Sequence, residues 1–224
     1  MLMVSAAWKT SYPGAMVGTL VMRNVTNPDT HPELDRRKEE LESQLRTRFA
    51  EGGRAAIKAL PTLQAYDAYY SRFKKTYHVQ LQLESVALKG RSIPRVAALV
   101  EAMFMAELKN LLLTAGHDWA TVQTPARLDV SDGSERYVML NGQEQTLKPG
   151  DMLIADSQGV ISSVIYGPDQ RTRITSDTRQ VFFAVYAPAG IGAEAVRQHL
   201  QNIQVNVVLV SPEAEVESLE VYSG

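Results

Sequence analysis

The fold is decided in residues 148–188, which read KPGDMLIADSQGVISSVIYGPDQRTRITSDTRQVFFAVYAP. A short apolar run, Met152–Ala155, precedes an Asp-Ser-Gln-Gly turn, and β-branched residues dominate Val160–Tyr166. Both features are typical of strands. Val181–Tyr186 is almost continuously apolar, which predicts a central strand buried on both faces. The order strand, turn, strand, polar connection, strand is the framework for the rest of the chain.

The polar connection between the last two strands, residues 167–179, contains three arginines and three threonines. A polar segment between two strongly apolar strands is a common location for function. Arginine and hydroxyl donors bind phosphate or carboxylate groups well. The simpler interpretation is a turn held by its own Asx and hydroxyl hydrogen bonds, and the sequence alone favours it. Both interpretations stay open at this point.

Composition is that of an ordinary globular protein: 224 residues, 45% of them hydrophobic, with a net charge of −2 and a pI near 6.1. The acidic balance argues against a protein that coats nucleic acid regardless of sequence, although it allows a local basic face. Without cysteine, disulfides, thiolate nucleophiles and cysteine-ligated metals are excluded. The N-terminal residues lack the pattern of a secretory signal, and no apolar run approaches the length of a transmembrane helix. We therefore predict a cytoplasmic protein without membrane contact.

Motifs of several enzyme classes are missing from the sequence. It contains no phosphate-binding glycine loop and no GxSxG nucleophile turn. Its histidines are too dispersed for a histidine-rich metal site, so we predict no metal and no cofactor. A hydrolase built from this chain would use a positioned water, which suffices for an activated ester whose oxyanion is stabilised.

Helical periodicity organises residues 32–115. It predicts a charged helix over Pro32–Ala50, short helices over Ala55–Leu60 and Leu63–Phe73, and the longest helix over Pro94–Ala115. Val79–Leu88 fits either a strand or a helix. One short helix carries an aromatic face, which we interpret as core because a base-stacking platform would have to be exposed. That face consists of Tyr66, Tyr69, Tyr70 and Phe73.

Strands and one further helix are predicted in the remaining segments. Ala15–Val25 reads as the first strand, and Arg127–Ser131 with Glu135–Leu140 reads as a strand pair. Asn141-Gly142 is a hairpin turn. An amphipathic helix over Gly192–Ile203 and a strand over Val205–Val210 would complete a strand–helix–strand crossover. The acidic residues that follow are expected at an edge or in a tail.

Residues 72–95 form the most basic window, with six cationic side chains against Glu84 alone, a surplus of 6 − 1 = +5. On an acidic protein, such a surplus suggests contact with phosphates. A solvated charge run explains it equally well. The RNA-binding candidates are Lys74, Lys75, Lys89, Arg91 and Arg95.

Three further residues are candidates for chemistry. Glu101 lies among the apolar residues of the longest helix; it is either a buried functional carboxylate or a residue that leaves the apolar face, and we favour the second. His117 precedes Asp118, as a general base would precede its orienting group. Adjacent residues rarely point the same way, so a surface histidine beside a capping aspartate is the favoured interpretation.

Three segments in this order resemble the B3/B4 domain of the phenylalanyl-tRNA synthetase β subunit, and more closely the free-standing bacterial proteins made of that domain alone. They are YDAYYSRFKKTYHVQLQLESVALKGRSIPRVAALVEAM at 66–103, AGHDWA at 115–120, and the block that ends at Pro188. In that block the matching positions are Gly159, Val160, Arg171, Thr172, Thr175, Thr178 and Arg179.

The resemblance covers residues 15–190 and implies an α+β fold, a mixed β-sheet or sandwich core flanked by helices. It implies one domain over residues 1–224 with an acidic C-terminal segment, 211–224. It also favours a helix over Val79–Leu88, before the Lys89-Gly90 turn. Family members of this kind hydrolyse tRNA charged with the wrong amino acid, mainly tyrosine in the synthetase, or bind tRNA.

Carried onto this sequence, the resemblance places the catalytic candidates at His117, Asp118, Glu101, Arg171, Thr172 and Arg179. Two asparagine positions of the family are apolar here, Glu101 replaces an aspartate, and Ala184 stands nearest to a glutamate of the synthetase pocket. Our first hypothesis is a protein that binds the tRNA acceptor end and hydrolyses mischarged aminoacyl-tRNA in trans. The alternatives are a tRNA-binding module without catalysis, which the apolar replacements favour, and a diverged small-molecule or protein-interaction domain.

Overall fold

A computed structural model describes residues 2–224. These residues form seven α-helices, eleven strands and a short 3-10 helix at Trp119–Thr121. The helices are α1 (Ala6–Ser11), α2 (Pro32–Phe49), α3 (Gly53–Lys58), α4 (Pro61–Ser71), α5 (His78–Lys89), α6 (Ala98–Asn110) and α7 (Ala193–Val210). The strands are β1 (Leu2–Val4), β2 (Met16–Arg23), β3 (Leu113–Asp118), β4 (Ala126–Val130), β5 (Arg136–Val138), β6 (Glu144–Thr146), β7 (Met152–Asp156), β8 (Gly159–Ser163), β9 (Gly167–Pro168), β10 (Gln180–Ala187) and β11 (Glu215–Ser223).

The central antiparallel sheet has the order β11-β2-β10-β3. As its apolar sequence predicts, β10 is an inner strand, and its residues from Val181 to Ala187 are buried. Helix α7 packs on this sheet at Gly18, where a Cβ atom would lie 2.4 Å from Val196 Cγ1. Only glycine allows the helix to approach the strand this closely. The acidic C-terminal segment forms the edge strand β11, which confirms one of its two expected locations.

The second sheet has the order β1-β4-β7-β8-β9, with β1 and β4 parallel and the other pairs antiparallel. The predicted turn at 156–159 joins β7 to β8. A separate hairpin, β5–β6, turns at Asn141-Gly142 as predicted and packs a small apolar cluster against β7 and β8. The α+β architecture expected from the sequence is confirmed.

Helix α4 joins the two sheets through its tyrosines. Tyr66 Oη donates to the carbonyl of Tyr186 at 2.6 Å, and Tyr70 Oη donates to the carbonyl of Val164 at 2.8 Å. Both rings are fully buried. The predicted aromatic face is therefore core, and the helix predicted over Val79–Leu88 is confirmed as α5.

Three predictions of secondary structure are wrong. The helix predicted to reach Ala115 ends at Asn110, because Leu111 adopts a left-handed φ of 64° and the chain continues as β3; it is not the longest helix. The run Val205–Val210 belongs to α7, since Val207 and Val210 continue its buried face. The segments 127–131 and 135–140 do not pair, because β4 lies between β1 and β7 while β5 pairs with β6.

Candidate functional site

A cavity of about 500 Å³ opens between α5, α6, β3 and the β8–β10 connection. Its inner wall is buried and mostly apolar, whereas Val96, Leu140 and Arg173 at its mouth are exposed. Ligand sites in proteins have this size and this mixture of apolar wall with few polar groups. Polar groups in its lining include the side chains of His78, Gln82, Glu107, Thr114 and Ser163.

Glu107 is the buried acid of the cavity. Its side chain is 2% exposed, and the backbone N–H of Thr114 donates to its Oε1 at 2.7 Å. Within residues 2–224 no cationic group lies within ion-pairing distance of it. Burial therefore raises the pKa of Glu107 to about 8. At neutral pH the carboxyl is mostly protonated and offers a hydrogen-bond donor to the cavity. Sequence reasoning missed this residue.

Thr114, next to Glu107, is held by a second buried group. His199 Nε2 lies 2.7 Å from Thr114 Oγ1, and Asn110 Nδ2 lies 3.1 Å from His199 Nδ1. Both ring nitrogens of His199 therefore have a polar side-chain partner. Burial lowers the pKa of His199 to about 3, so the ring is neutral. This chain of contacts fixes the strand segment whose N–H group holds Glu107.

The polar connection 167–179 forms one wall of the cavity. Gly167, Pro168, Arg173 and Ile174 line it. Gly116, across from this wall on β3, is closely packed, since a Cβ atom there would lie 2.9 Å from Ile174 Cδ1. The segment with three arginines therefore stands beside a hollow, but only one of its arginines faces that hollow.

Arg171 and Arg179 are bound to the protein itself. Arg171 Nη2 donates to both carboxylate oxygens of Asp156 at 2.9 and 3.0 Å, and its Nη1 donates to the carbonyl of Thr121. Arg179 donates to the carbonyls of Ser176 and Thr178. Neither residue lines the cavity. The Asx and hydroxyl hydrogen bonds of the simpler interpretation are present in the same connection, where Asp169 accepts from Thr172 N–H and Thr178 Oγ1 accepts from Thr175 N–H.

His117 and Thr172 form a fully buried pair behind the wall. His117 Nδ1 lies 2.7 Å from Thr172 Oγ1, and the threonine hydroxyl donates to Asp169. Burial, reinforced by the Arg171 charge, lowers the pKa of His117 to about 3. Its Nε2 is buried without a partner in residues 2–224. The expected surface histidine is thus a neutral core residue.

Asp118 and Glu101 are also engaged in the interior. Asp118 accepts from Thr178 Oγ1 at 2.8 Å and caps the short helix through Ala120 N–H, so its expected capping role is confirmed. Glu101 forms a buried ion pair with Lys38 at 2.5 Å. Instead of leaving the apolar face for solvent, Glu101 is 3% exposed. The six catalytic candidates from the sequence all lie outside the cavity lining, and their catalytic roles stay predictions.

The basic window is exposed but divided. Arg95 pairs with Asp35 of α2 at 3.4 Å, and Lys89 and Arg91 lie at the C-terminal end of α5. Lys74 and Lys75 precede the other end of α5, where the Lys75 ammonium lies 5.7 Å from the Tyr166 ring centroid. Tyr166 adjoins Gly167 of the cavity wall. Among the five RNA-binding candidates, Lys75 therefore contacts a residue next to the cavity wall.

Two other features are absent from residues 2–224. No three acidic or histidine side chains there come together as metal ligands. No helix in this range has the length and apolarity needed to cross a bilayer.

Comparison with known proteins shows what this chain is similar to. The family model described as the B3/4 domain matches residues 65–206. The phenylalanine–tRNA ligase β subunit of Mycoplasma pneumoniae is 29% identical over 89 residues, which is 40% of this chain and 11% of that protein. This chain therefore spans only about a tenth of the length of that relative.

A solved N-terminal fragment of the phenylalanyl-tRNA synthetase β subunit from Pyrococcus horikoshii has a similar fold. It superposes with a TM-score of 0.50 and 13% identity, covering 100% of this chain and 54% of the fragment. At this identity, the likeness supports the fold alone. The family match includes α5, α6, β3 and the whole connection 167–179. Since it extends over more than half of the residues, this chain belongs to the B3/4 domain family.

Proposed function

We propose that this protein binds the acceptor end of tRNA and hydrolyses mischarged aminoacyl-tRNA in trans. The observation that carries the proposal is the cavity of about 500 Å³ in which Glu107 is buried and Arg173 stands at the mouth. Its volume suits an amino acid esterified to ribose. Membership of the B3/4 family, with a tRNA ligase subunit as relative, supports the choice of substrate.

The polarity of the cavity suggests which side chain it accepts. Apolar walls around one neutral carboxyl fit a side chain that is apolar along its length and ends in a hydroxyl, as tyrosine does. A site built to bind a hydroxyl rejects the analogue that lacks it, because its buried polar group is then unpaired. Glu107 would exchange hydrogen bonds with that hydroxyl, and a water held near the mouth would attack the ester carbonyl.

The buried network behind the wall supports this substrate site indirectly. His117, Thr172 and Asp118 hold the connection 167–179 in place, and this connection carries Ile174 and Arg173 to the cavity. In the proposal these residues position the wall and do not touch the substrate. Glu101 and Lys38 join α6 to α2 in the same supporting role.

A panel of mischarged tRNAs tests the hydrolytic claim. We expect the ester of tyrosine to be hydrolysed at least tenfold faster than that of phenylalanine on the same tRNA. The Glu107→Leu variant should lose this preference. Ester loss at the background rate on every tRNA of the panel would contradict the proposal.

A tRNA-binding module without turnover is the second candidate. The placement of all six predicted catalytic side chains outside the cavity favours it. It predicts salt-sensitive tRNA binding with no ester loss. Both candidates require the basic window, so reversing Lys75, Arg91 and Arg95 to glutamate should abolish binding in either case.

A matched control reverses three exposed cations elsewhere, Lys9, Arg127 and Arg197, and changes net charge equally. If both triple variants lose tRNA binding to the same extent, the effect is one of net charge and the basic window has no special role. If neither loses it, tRNA does not bind through the window.

A further inference from the structure

One arginine of the connection 167–179 is left for a ligand. Arg173 is exposed, and its single hydrogen bond to residues 2–224 runs from Nη1 to the carbonyl of Gln170 at 3.0 Å. In residues 2–224 no carboxylate lies within 4.0 Å of it. Nε and Nη2 thus remain as a fork of donors, the geometry that binds phosphate or carboxylate in a bidentate way. The neighbouring Arg171 has this fork filled by Asp156.

The surroundings of Arg173 favour an anion. It lines the mouth of the cavity, which also includes His78 and Gln82 of α5. The Lys75 ammonium packs over Tyr166, the residue before Gly167 of the same wall. Glu107, the buried acid of the cavity, is neutral at pH 7 because burial raises its pKa to about 8. An anionic group at the mouth therefore meets the Arg173 guanidinium and the polar side chains of His78 and Gln82, while the acid of the lining, Glu107, is buried and neutral.

We propose that Arg173 is a substrate-binding residue that grips the phosphate of the nucleotide whose ribose carries the amino acid. This inference rests on the proposed function. In an aminoacyl ester the carboxylate is consumed by the ester bond, so the nearest anion in the substrate is a phosphate. In this arrangement the phosphate lies at Arg173, the ribose and the ester lie at the mouth of the cavity, and the amino-acid side chain lies near Glu107.

Binding of a hydrolysis-resistant probe tests this assignment apart from turnover. The probe is 3′-amino-3′-deoxyadenosine with a tyrosyl group joined to the 3′ nitrogen as an amide, prepared with and without a 5′-phosphate. Dissociation constants are measured by calorimetry for the wild type, for Arg173→Ala and Arg173→Gln, and for the control Arg127→Ala. Arg127 is an exposed arginine of β4, away from the cavity.

We expect the wild type to bind the phosphorylated probe about 10- to 100-fold more tightly, the usual effect of a charge-assisted contact. Both Arg173 variants should bind the two probes equally, and Arg127→Ala should keep the wild-type preference. Arg173→Gln keeps much of the side chain's length, so agreement between the two variants assigns the loss to the guanidinium.

Three results would overturn the assignment. If the wild type and the variants bind both probes equally, Arg173 does not bind the phosphate, while the proposed function is unaffected. Failure of the wild type to bind either probe would remove the proposed ligand and the role of Arg173 with it. If free tyrosine displaces the probes from the wild type but not from the Arg173 variants, Arg173 binds the carboxylate of the amino acid and the phosphate assignment is wrong.

Discussion

The buried acid Glu107 predicts an unusual dependence of stability on pH. In the unfolded chain its carboxyl ionises near pH 4.5, whereas in the folded protein burial raises the pKa to about 8. Between these values the unfolded state releases a proton that the folded state retains. Stability must therefore fall as pH rises through this window, by at most about 1.4 kcal/mol per pH unit. Over the whole interval, at about 1.36 kcal/mol for each unit, the loss reaches up to about 5 kcal/mol.

The Glu107→Gln variant isolates this contribution. Glutamine has nearly the same shape, its carbonyl oxygen can accept from Thr114 N–H, and it does not titrate. At pH 5 the two proteins should differ by less than about 1 kcal/mol, because the wild-type carboxyl is neutral there. At pH 8 the variant should be more stable by at least about 2 kcal/mol. Asp151, whose pKa burial raises to about 6, is present in both proteins and cancels in the difference.

Urea denaturation followed by tryptophan fluorescence and circular dichroism, at pH 5, 6, 7, 8 and 9, measures the two stability curves. The control is Glu39→Gln, which removes an exposed acid of α2 and should follow the wild-type curve. Parallel curves for the wild type and Glu107→Gln between pH 5 and 8 would refute the reasoning, because they would mean that Glu107 ionises equally easily in both states.

Three further predictions concern packing, ion pairs and specificity. Lys38→Ala leaves Glu101 buried without its partner and should lower the free energy of unfolding by about 3–5 kcal/mol. The control Arg36→Ala breaks exposed ion pairs of the same helix and should lower it by less than about 1 kcal/mol. Equal losses of the two variants in urea denaturation would contradict this prediction. Gly18→Ala forces α7 away from β2 and should lower the free energy of unfolding by about 1–3 kcal/mol. Gly192→Ala, with open space around the residue, is the matched control. An unchanged melting temperature for Gly18→Ala would count against close packing of α7 on β2. Glu107→Leu should reduce discrimination between tyrosyl and phenylalanyl esters at least tenfold, measured as a ratio of kcat/KM, and a retained ratio would show that other groups read the hydroxyl.

The sequence predicted the fold well wherever a pattern had one physical meaning. The apolar run Val181–Tyr186 is too hydrophobic for an edge strand, so the sequence predicted its inner position in the sheet correctly. Val205–Val210 is also largely apolar, but its β-branched residues fit a helix that buries one side as well, and the preceding helix extends through them. Leu111–Leu113 likewise suits a helix or a buried strand. Only the packing of β3 against β10 decides between them, and that contact lies far away in sequence.

The site was harder to predict because its residues look like core or like turn. Glu101 and Glu107 both lie in the apolar helix α6 and are nearly equally buried. Their difference depends on partners: Lys38, 63 residues earlier, neutralises Glu101, and no cation among the described residues 2–224 reaches Glu107. A single sequence does not show such pairing. In the connection 167–179, the arginine and threonine content indicated a ligand, but most of these donors satisfy acceptors of the turn itself.

The energetic cost of Glu107 is an argument for its use. Glutamine at this position would accept the same hydrogen bond from Thr114 N–H without the loss of up to about 5 kcal/mol between acidic and alkaline pH. For a domain whose total stability is about 5–15 kcal/mol, that loss is large. Within residues 2–224, Glu107 accepts a hydrogen bond from Thr114 N–H and has no cationic partner that would favour its ionisation. A group that weakens the fold at a cavity wall is expected where a ligand uses it. The buried carboxyl of Glu107 in the cavity lining, more than the arginine-rich connection, therefore supports our proposal that a ligand binds in the cavity.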